Sequence, residues 1–205
     1  MNQDLFETAR WLIRAIERGL AARNGDGVAE VLSRLSEQDL AGASFREPEP
    51  AGFPVLTHLP QAIGEVLMLD PDLAAAIAAI EDALMWRQSS SDTDDVLGEG
   101  FCANYGWAET IGPDGFFPGD DVLLGLLMLG PHRHYRDHYH PAPELYWPLT
   151  AQSHWSKDGG AFVEQPQGAI IWHPSMVLHA TKTQDSPLLA VWCWTRDTAT
   201  PAKLK

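Results

Sequence analysis

Residues 132–146 read HRHYRDHYHPAPELY, and the reading of the whole chain turns on them. Four of the eight histidines stand here, with a glutamate and a tyrosine close behind. Set out as His138-x-His140-x3-Glu144, the stretch has the ligand types and spacing of a first-row transition metal site. Imidazole and carboxylate together suit Fe, Mn, Ni, Zn or Cu and are a poor set for Ca or Mg. Residues two apart in an extended strand project to the same side, so His138 and His140 form a chelating pair. Pro141-Ala142-Pro143 makes a tight connection, after which Glu144 and Tyr146 share one face of the next strand. A solvated basic patch would be built from Lys and Arg instead.

A second segment, QPQGAIIWHPSMVLHAT at residues 165–181, runs glycine, strand, proline turn and then His179. That pattern returns a strand pair to the same place and delivers one more ligand. The expected metal set is therefore His138, His140, Glu144 and His179. His132 and His134 read as loop residues and His173 as structural, while His58 and His154 carry no signal.

Around these segments the chain is strand-like. Residues 101–111, 122–128, 144–149, 161–163, 169–172 and 188–195 are short apolar runs separated by Gly, Pro and Asp turns. This spacing predicts an antiparallel sandwich or barrel rather than a βαβ fold. In the last run Trp192 and Trp194 share a face with Leu188 and Ala190. That bulky face either lines a barrel interior or receives helices.

Upstream of residue 95 the character changes. Leu5, Ala9, Leu12, Ile13, Ile16 and Leu20 recur on one helical face, with charges opposite. A second helix is expected over residues 28–40 and a third over 60–68. Asp70-Pro71 starts a fourth, since Asp caps and Pro is pre-set for the first helical position; its apolar face is Leu73, Ile77, Ile80 and Leu84. The run SSSDTDD at 89–95 reads as a solvated connector. The expected layout is a helical region over 1–95, packed on a β-barrel over 96–205 that carries the metal site.

Composition narrows the function. Twenty-eight acidic residues against 14 basic ones give a formal net charge of −14 in a chain of 205 residues. Nucleic acid and anionic membrane surfaces both reward positive patches, so neither partner is expected; a small substrate bearing positive charge is favoured. The first 23 residues scatter charge through their apolar positions, unlike a signal peptide or a membrane span. Cys102 and Cys193, the two cysteines, read as buried free thiols, which fits a cytoplasmic protein.

The two histidine segments resemble the paired motifs of the cupin superfamily, the first of form G-x5-H-x-H-x3/4-E-x6-G. His138, His140 and Glu144 match it, with His132 and Ala151 at the two glycine positions. Gly168, Pro174 and His179 match the second motif, whose final Asn is replaced by Lys182 or Thr183. Within cupins the chain resembles the dimethylsulfoniopropionate lyases, which join an N-terminal helical region to a C-terminal cupin barrel. That family carries a tyrosine two residues after the glutamate ligand and another three before the first histidine, here Tyr146 and Tyr135.

The resemblance implies a carbon–sulfur lyase that uses a divalent transition metal (Fe, Zn, Mn or Ni) on a small zwitterionic substrate, releasing dimethyl sulfide and acrylate by β-elimination. It implies Tyr146 as the base, with Tyr135 as the alternative base or as an anchor for the substrate carboxylate. Without the resemblance, Tyr146 reads as an ordinary strand aromatic. A sulfonium head calls for an aromatic cage, for which Tyr139, Trp147, Trp155, Trp172, Trp192 and Trp194 are available. Two alternatives stay open: another metal-dependent cupin enzyme, such as a dioxygenase or isomerase, and a non-catalytic ligand-sensing cupin. Cupins often pair through their sheets, so a homodimer is an option.

Overall fold

Each run with apolar residues every three or four positions forms a helix. The computed structural model describes residues 2–205. Helix α1 (Gln3–Ala21) is capped by Asn2, whose side chain accepts the Leu5 N–H at 3.3 Å, and it buries Leu12, Ile13, Ile16 and Leu20. Helix α2 (Val28–Ser36) is four residues shorter at its end than the pattern over 28–40 suggested. The Gln38 N–H bonds to Leu35 O, and the Asp39 carboxylate takes the Ala41 N–H at 2.9 Å. An aspartate that satisfies the backbone just beyond it favours a turn over another helical turn.

Helix α3 (Leu59–Leu69) is followed by α4 (Pro71–Ile80), capped by Asp70, whose carboxylate accepts the Leu73 N–H at 3.0 Å. Next come a short strand β1 (Trp86–Arg87), a single helical turn α5 (Asp94–Leu97) and the long strands β2 (Tyr105–Ile111) and β3 (Leu123–Leu129). The remaining strands are β4 (His134–Tyr139), β5 (Glu144–Pro148), β6 (Ser153–Lys157), β7 (Val163–Gln165), β8 (Ile171–His173), β9 (His179–Thr183), β10 (Leu188–Trp194) and β11 (Lys203–Leu204).

They form two antiparallel sheets, ordered β1-β2-β3-β10-β5-β8 and β11-β4-β9-β6-β7. This is the antiparallel β-sandwich expected of a cupin. Strand β10 settles the open question about the tryptophan face. Leu189, Val191 and Cys193 join the helices in one core, whereas Leu188, Ala190 and Trp192 join Tyr135, Tyr146 and Trp155 between the sheets. The bulky face lines the interior because the smaller residues are the ones a helix can approach.

Helix α1 meets the sheet closely at Gly19, where a Cβ would lie 2.2 Å from the Trp147 ring. Residue 19 therefore has no room for a side chain, and α1 rests directly on the indole. Arg23 covers the same ring, its guanidinium carbon 4.2 Å from the centroid.

Two local expectations change. Residues 89–95 are not wholly solvated: Asp92 is buried, whereas Asp94 stays at the surface and accepts the Gly100 and Cys102 N–H groups at 3.0 and 2.8 Å. The polar composition is spent on the chain's own backbone. His134 is in strand β4 rather than a loop, with its ring edge-on to Phe162 at 5.5 Å. His132, at a glycine position of the first motif, adopts φ 54, a conformation that glycine takes freely and histidine tolerates better than most residues. The turn persists without the glycine. Both cysteines are free thiols, Cys193 buried and Cys102 partly so.

Candidate active site

Strands β4, β5 and β9 each deliver part of one buried cluster. His138 is on β4, His140 just beyond it, Glu144 opens β5 and His179 opens β9. One ring nitrogen from each of His138, His140 and His179 lies within 4.8 Å of the others, and all three residues are buried. His140 Nε2 is 3.1 Å from Glu144 Oε2; His179 Nε2 lies 3.2 Å from the same oxygen but without a directed hydrogen bond.

The other ring nitrogens have a uniform task. Nδ1 of His138, His140 and His179 faces the carbonyl of Arg136, Ala142 and Val177 at 2.8, 2.8 and 2.9 Å. A carbonyl only accepts, so each Nδ1 must carry the proton and donate. That assigns the Nε2 lone pairs to the centre of the cluster, the tautomer a metal ligand needs. The Trp194 indole N–H donates to Glu144 Oε1 at 2.8 Å and fixes the carboxylate from the outside.

Burial alone would raise the Glu144 carboxyl, but His140 and His179 outweigh it and hold the group well below the usual glutamate range. Burial, with His179 alongside, holds His138 well below the ordinary histidine value. Imidazole lone pairs turned on an ionised carboxylate repel one another in a dry interior unless a cation stands between them. The donor set therefore fits a transition metal ion, and the buried triad is a candidate metal site.

Two tyrosines flank it. Tyr135 stacks on His138 at 4.2 Å, and Tyr146 packs between Trp155 at 4.8 Å and His173 at 6.0 Å. Tyr135 and His138 are three residues apart, yet they face the same side because the pairing of β4 with β9 shifts register between them. Such a bulge inserts an unpaired residue and re-aims the side chains beyond it. Burial, then the nearby Asp92 charge, raises Tyr135; burial, then Glu144, raises Tyr146.

Tyr135, Tyr146, His138, His140 and Glu144 line one cavity of about 310 Å³. Of the proposed cage aromatics, Trp192 and Trp194 line it and Trp155 lies behind Tyr146. Trp147 and Trp172 are on the helix side of their sheet, and half-buried Tyr139 pairs with Lys203 away from the cavity. Four residues that the motifs did not single out belong to the neighbourhood. Tyr105, Trp107 and Glu109 line the cavity, and Asp92 faces the Tyr135 hydroxyl with its Oδ2 lacking a well-directed partner. The alternation of 105, 107 and 109 along one strand was the available signal, but nothing local marked that face as the interior.

His173, read as structural, stacks on His179 at 4.2 Å with both ring nitrogens unpartnered, and burial pushes its pKa down to about 3. It lies opposite Glu144 across β5 and β8 and forms part of the cluster's dry wall.

Residues 26–190 match the family model described as dimethylsulfoniopropionate lyase. Dimethylsulfoniopropionate lyase DddQ of Ruegeria pomeroyi is 31% identical over 172 residues, covering 76% of this chain and 85% of that protein. A putative dimethylsulfoniopropionate lyase DddL of Cereibacter sphaeroides is 25% identical over 157 residues, covering 76% and 65%. The crystal structure of DMSP lyase DddQ from Ruegeria pomeroyi DSS-3 superposes with a TM-score of 0.76 at 22% identity, over 100% of this chain and 98% of that one. At that identity the superposition establishes the shared fold.

Proposed function

The chain belongs to the dimethylsulfoniopropionate lyase family, and from that premise we propose that it cleaves dimethylsulfoniopropionate to dimethyl sulfide and acrylate. The observation that carries the reading is the meeting of three histidine Nε2 atoms, one carboxylate and two phenols at the end of a single cavity.

In this reading His138, His140, Glu144 and His179 hold a divalent transition metal ion, one of Fe, Zn, Mn or Ni. When bound, the ion supplies Lewis acidity toward the substrate carboxylate. The chain's own work is to position and to move a proton. A tyrosine oxygen removes a proton from the carbon next to the carboxylate. The electron pair left there forms the new double bond, and the carbon–sulfur pair departs with dimethyl sulfide. Tyr146 is the first choice because it follows Glu144 on the same face of β5, and Tyr135 is the alternative base or carboxylate anchor.

Burial and Glu144 keep Tyr146 protonated. A sulfonium cation entering the cavity opposes that effect, since nearby opposite charge favours the phenolate. As the cation enters, the phenol gives up its own proton to solvent, and the phenolate is the form that then accepts the substrate's proton. Trp155, its ring 4.8 Å from that of Tyr146, forms an apolar wall on that side of the phenol.

A headspace assay for dimethyl sulfide, run across a metal panel, tests the proposal. Metal-loaded protein is expected to release the sulfide, and Tyr146→Phe to abolish release while elemental analysis finds the metal still bound. No sulfide with any metal refutes it.

A further inference from the structure

The outer part of the cavity carries a carboxylate that the elimination does not use. Glu109 shares the interior face of β2 with Tyr105 and Trp107 and lines the same cavity, yet it is only 4% exposed. Among the described residues no Lys or Arg forms an ion pair with it: Arg87 pairs with Asp114 instead. Its hydrogen bond is to the Asp114 backbone N–H, donated to Oε2 at 2.9 Å. Buried glutamates are rare unless paired, so the missing cation needs an explanation.

The sheet register supplies one. Glu109 stands opposite Gly125 on β3, Gly125 opposite Trp192 on β10, and Trp192 opposite Tyr146 on β5. These four positions form one row across the interior face. A Cβ at position 125 would lie 2.8 Å from Trp192 Nε1 and 2.0 Å from the Ala108 carbonyl oxygen. Only glycine fits, and position 125 places no side chain between Glu109 and the Trp192 indole. Trp107 meets that indole at 5.9 Å and 88°, making a corner of two perpendicular rings. The Trp192 N–H is buried without an acceptor. Trp194 differs, because its N–H is committed to Glu144.

We propose that Glu109, together with Trp107 and Trp192, forms the subsite for the substrate's cationic head and selects a methylated onium group over a neutral group of the same shape. A sulfonium has no N–H to donate, so hydrogen bonding cannot recognise it. What remains is the negative face of an aromatic ring and the field of a nearby carboxylate in a low-dielectric wall. The row runs from Glu109 to Tyr146 across three strand spacings, about 14 Å between backbones. The cation that Glu109 lacks within the chain is brought by the ligand. This assignment rests on dimethylsulfoniopropionate as the substrate.

The test uses two isosteric probes that lack the sulfonium leaving group: 3-(trimethylammonio)propanoate, which carries the charge, and 4,4-dimethylpentanoate, which does not. Affinities for metal-loaded protein are measured by calorimetry at about pH 8.5, where Glu109 is ionised. Wild-type protein is expected to prefer the cation. Glu109→Gln is expected to weaken the cation on the order of tenfold, the scale of one partly shielded charge pair, while moving the neutral probe by less than about twofold. Equal wild-type affinity for the two probes overturns the proposal and requires no variant. Equal weakening of both probes by Glu109→Gln overturns it too, since that marks a structural role. Sulfide release is measured separately: its absence refutes the substrate, whereas wild-type protein that releases sulfide yet shows no preference for the cationic probe refutes the subsite alone.

Discussion

Replacing Glu109 with Gln is expected to stabilise the ligand-free fold in alkaline solution and leave it nearly unchanged in acid. Burial pushes the Glu109 carboxyl from its ordinary 4.5 up to about 7, with the Asp114 N–H and the more distant Arg87 too weak to hold it down and Asp114 adding negative charge. In the unfolded chain the group returns to its ordinary value. Below pH 4.5 both states hold the proton and the site contributes no penalty. As pH climbs from 4.5 to about 7, the unfolded chain releases the proton while the fold retains it, so stability falls. Above about 7 the full cost of a buried unpaired charge is present. At about 1.4 kcal/mol per pH interval, that gap corresponds to about 3 kcal/mol. Gln keeps the shape and the acceptor for the Asp114 N–H and removes only the charge. Urea unfolding at about pH 4 and about pH 8.5 reads the effect directly through the midpoint and slope. The variant should match wild type at the lower pH and exceed it by up to about 3 kcal/mol at the higher. An equal offset at both values, or none at the higher, refutes the reasoning.

Two further outcomes are expected from the packing and the metal cluster. Gly19→Ala gains helix propensity of about 1 kcal/mol, yet a Cβ 2.2 Å from the Trp147 ring should prise α1 from the sheet. A net destabilisation of about 1–3 kcal/mol is expected in thermal or urea unfolding, and a stabilised variant contradicts the seating of the helix. Metal loading after chelator treatment should raise the melting temperature, with a gain of about 4 kcal/mol when free metal is 1,000-fold above Kd. His179→Ala should lose most of that gain, and an unchanged metal response in this variant removes His179 from the ligand set.

Much of the candidate metal cluster was legible in the chain itself. Three of its members stand within seven residues, and a pair at strand spacing must share a side whatever the rest of the fold does. His179 was reachable because a proline turn and a glycine mark the return of its strand. The helices were legible for the same reason: Leu12, Ile16 and Leu20 repeat at the helical period before any partner is known. Helix α2 ended early because Asp39 competes for the backbone, an effect that a count of apolar positions does not register.

The tyrosine environment was less accessible. Tyr135 at three residues before His138 falls on the wrong face of a regular strand, and only the register shift against β9 brings it round. Asp92 read as solvent-facing because its neighbours are polar, although it is buried against the Tyr135 hydroxyl. Trp147 and Trp192 looked equivalent as cage aromatics. They end on opposite sides of one sheet, Trp147 under the helices and Trp192 in the cavity.

The sequence alone thus determined the helices, the antiparallel strand class and the histidine and carboxylate set, because each is a matter of spacing over a few residues. Tertiary structure decided which strand face is interior, which tryptophans meet the cavity, and that Glu109, Gly125, Trp192 and Tyr146 form one row. Those positions are far apart along the chain and adjacent only through pairing between strands. Strand order and register come from the packing of the whole sandwich, which no short window of sequence encodes.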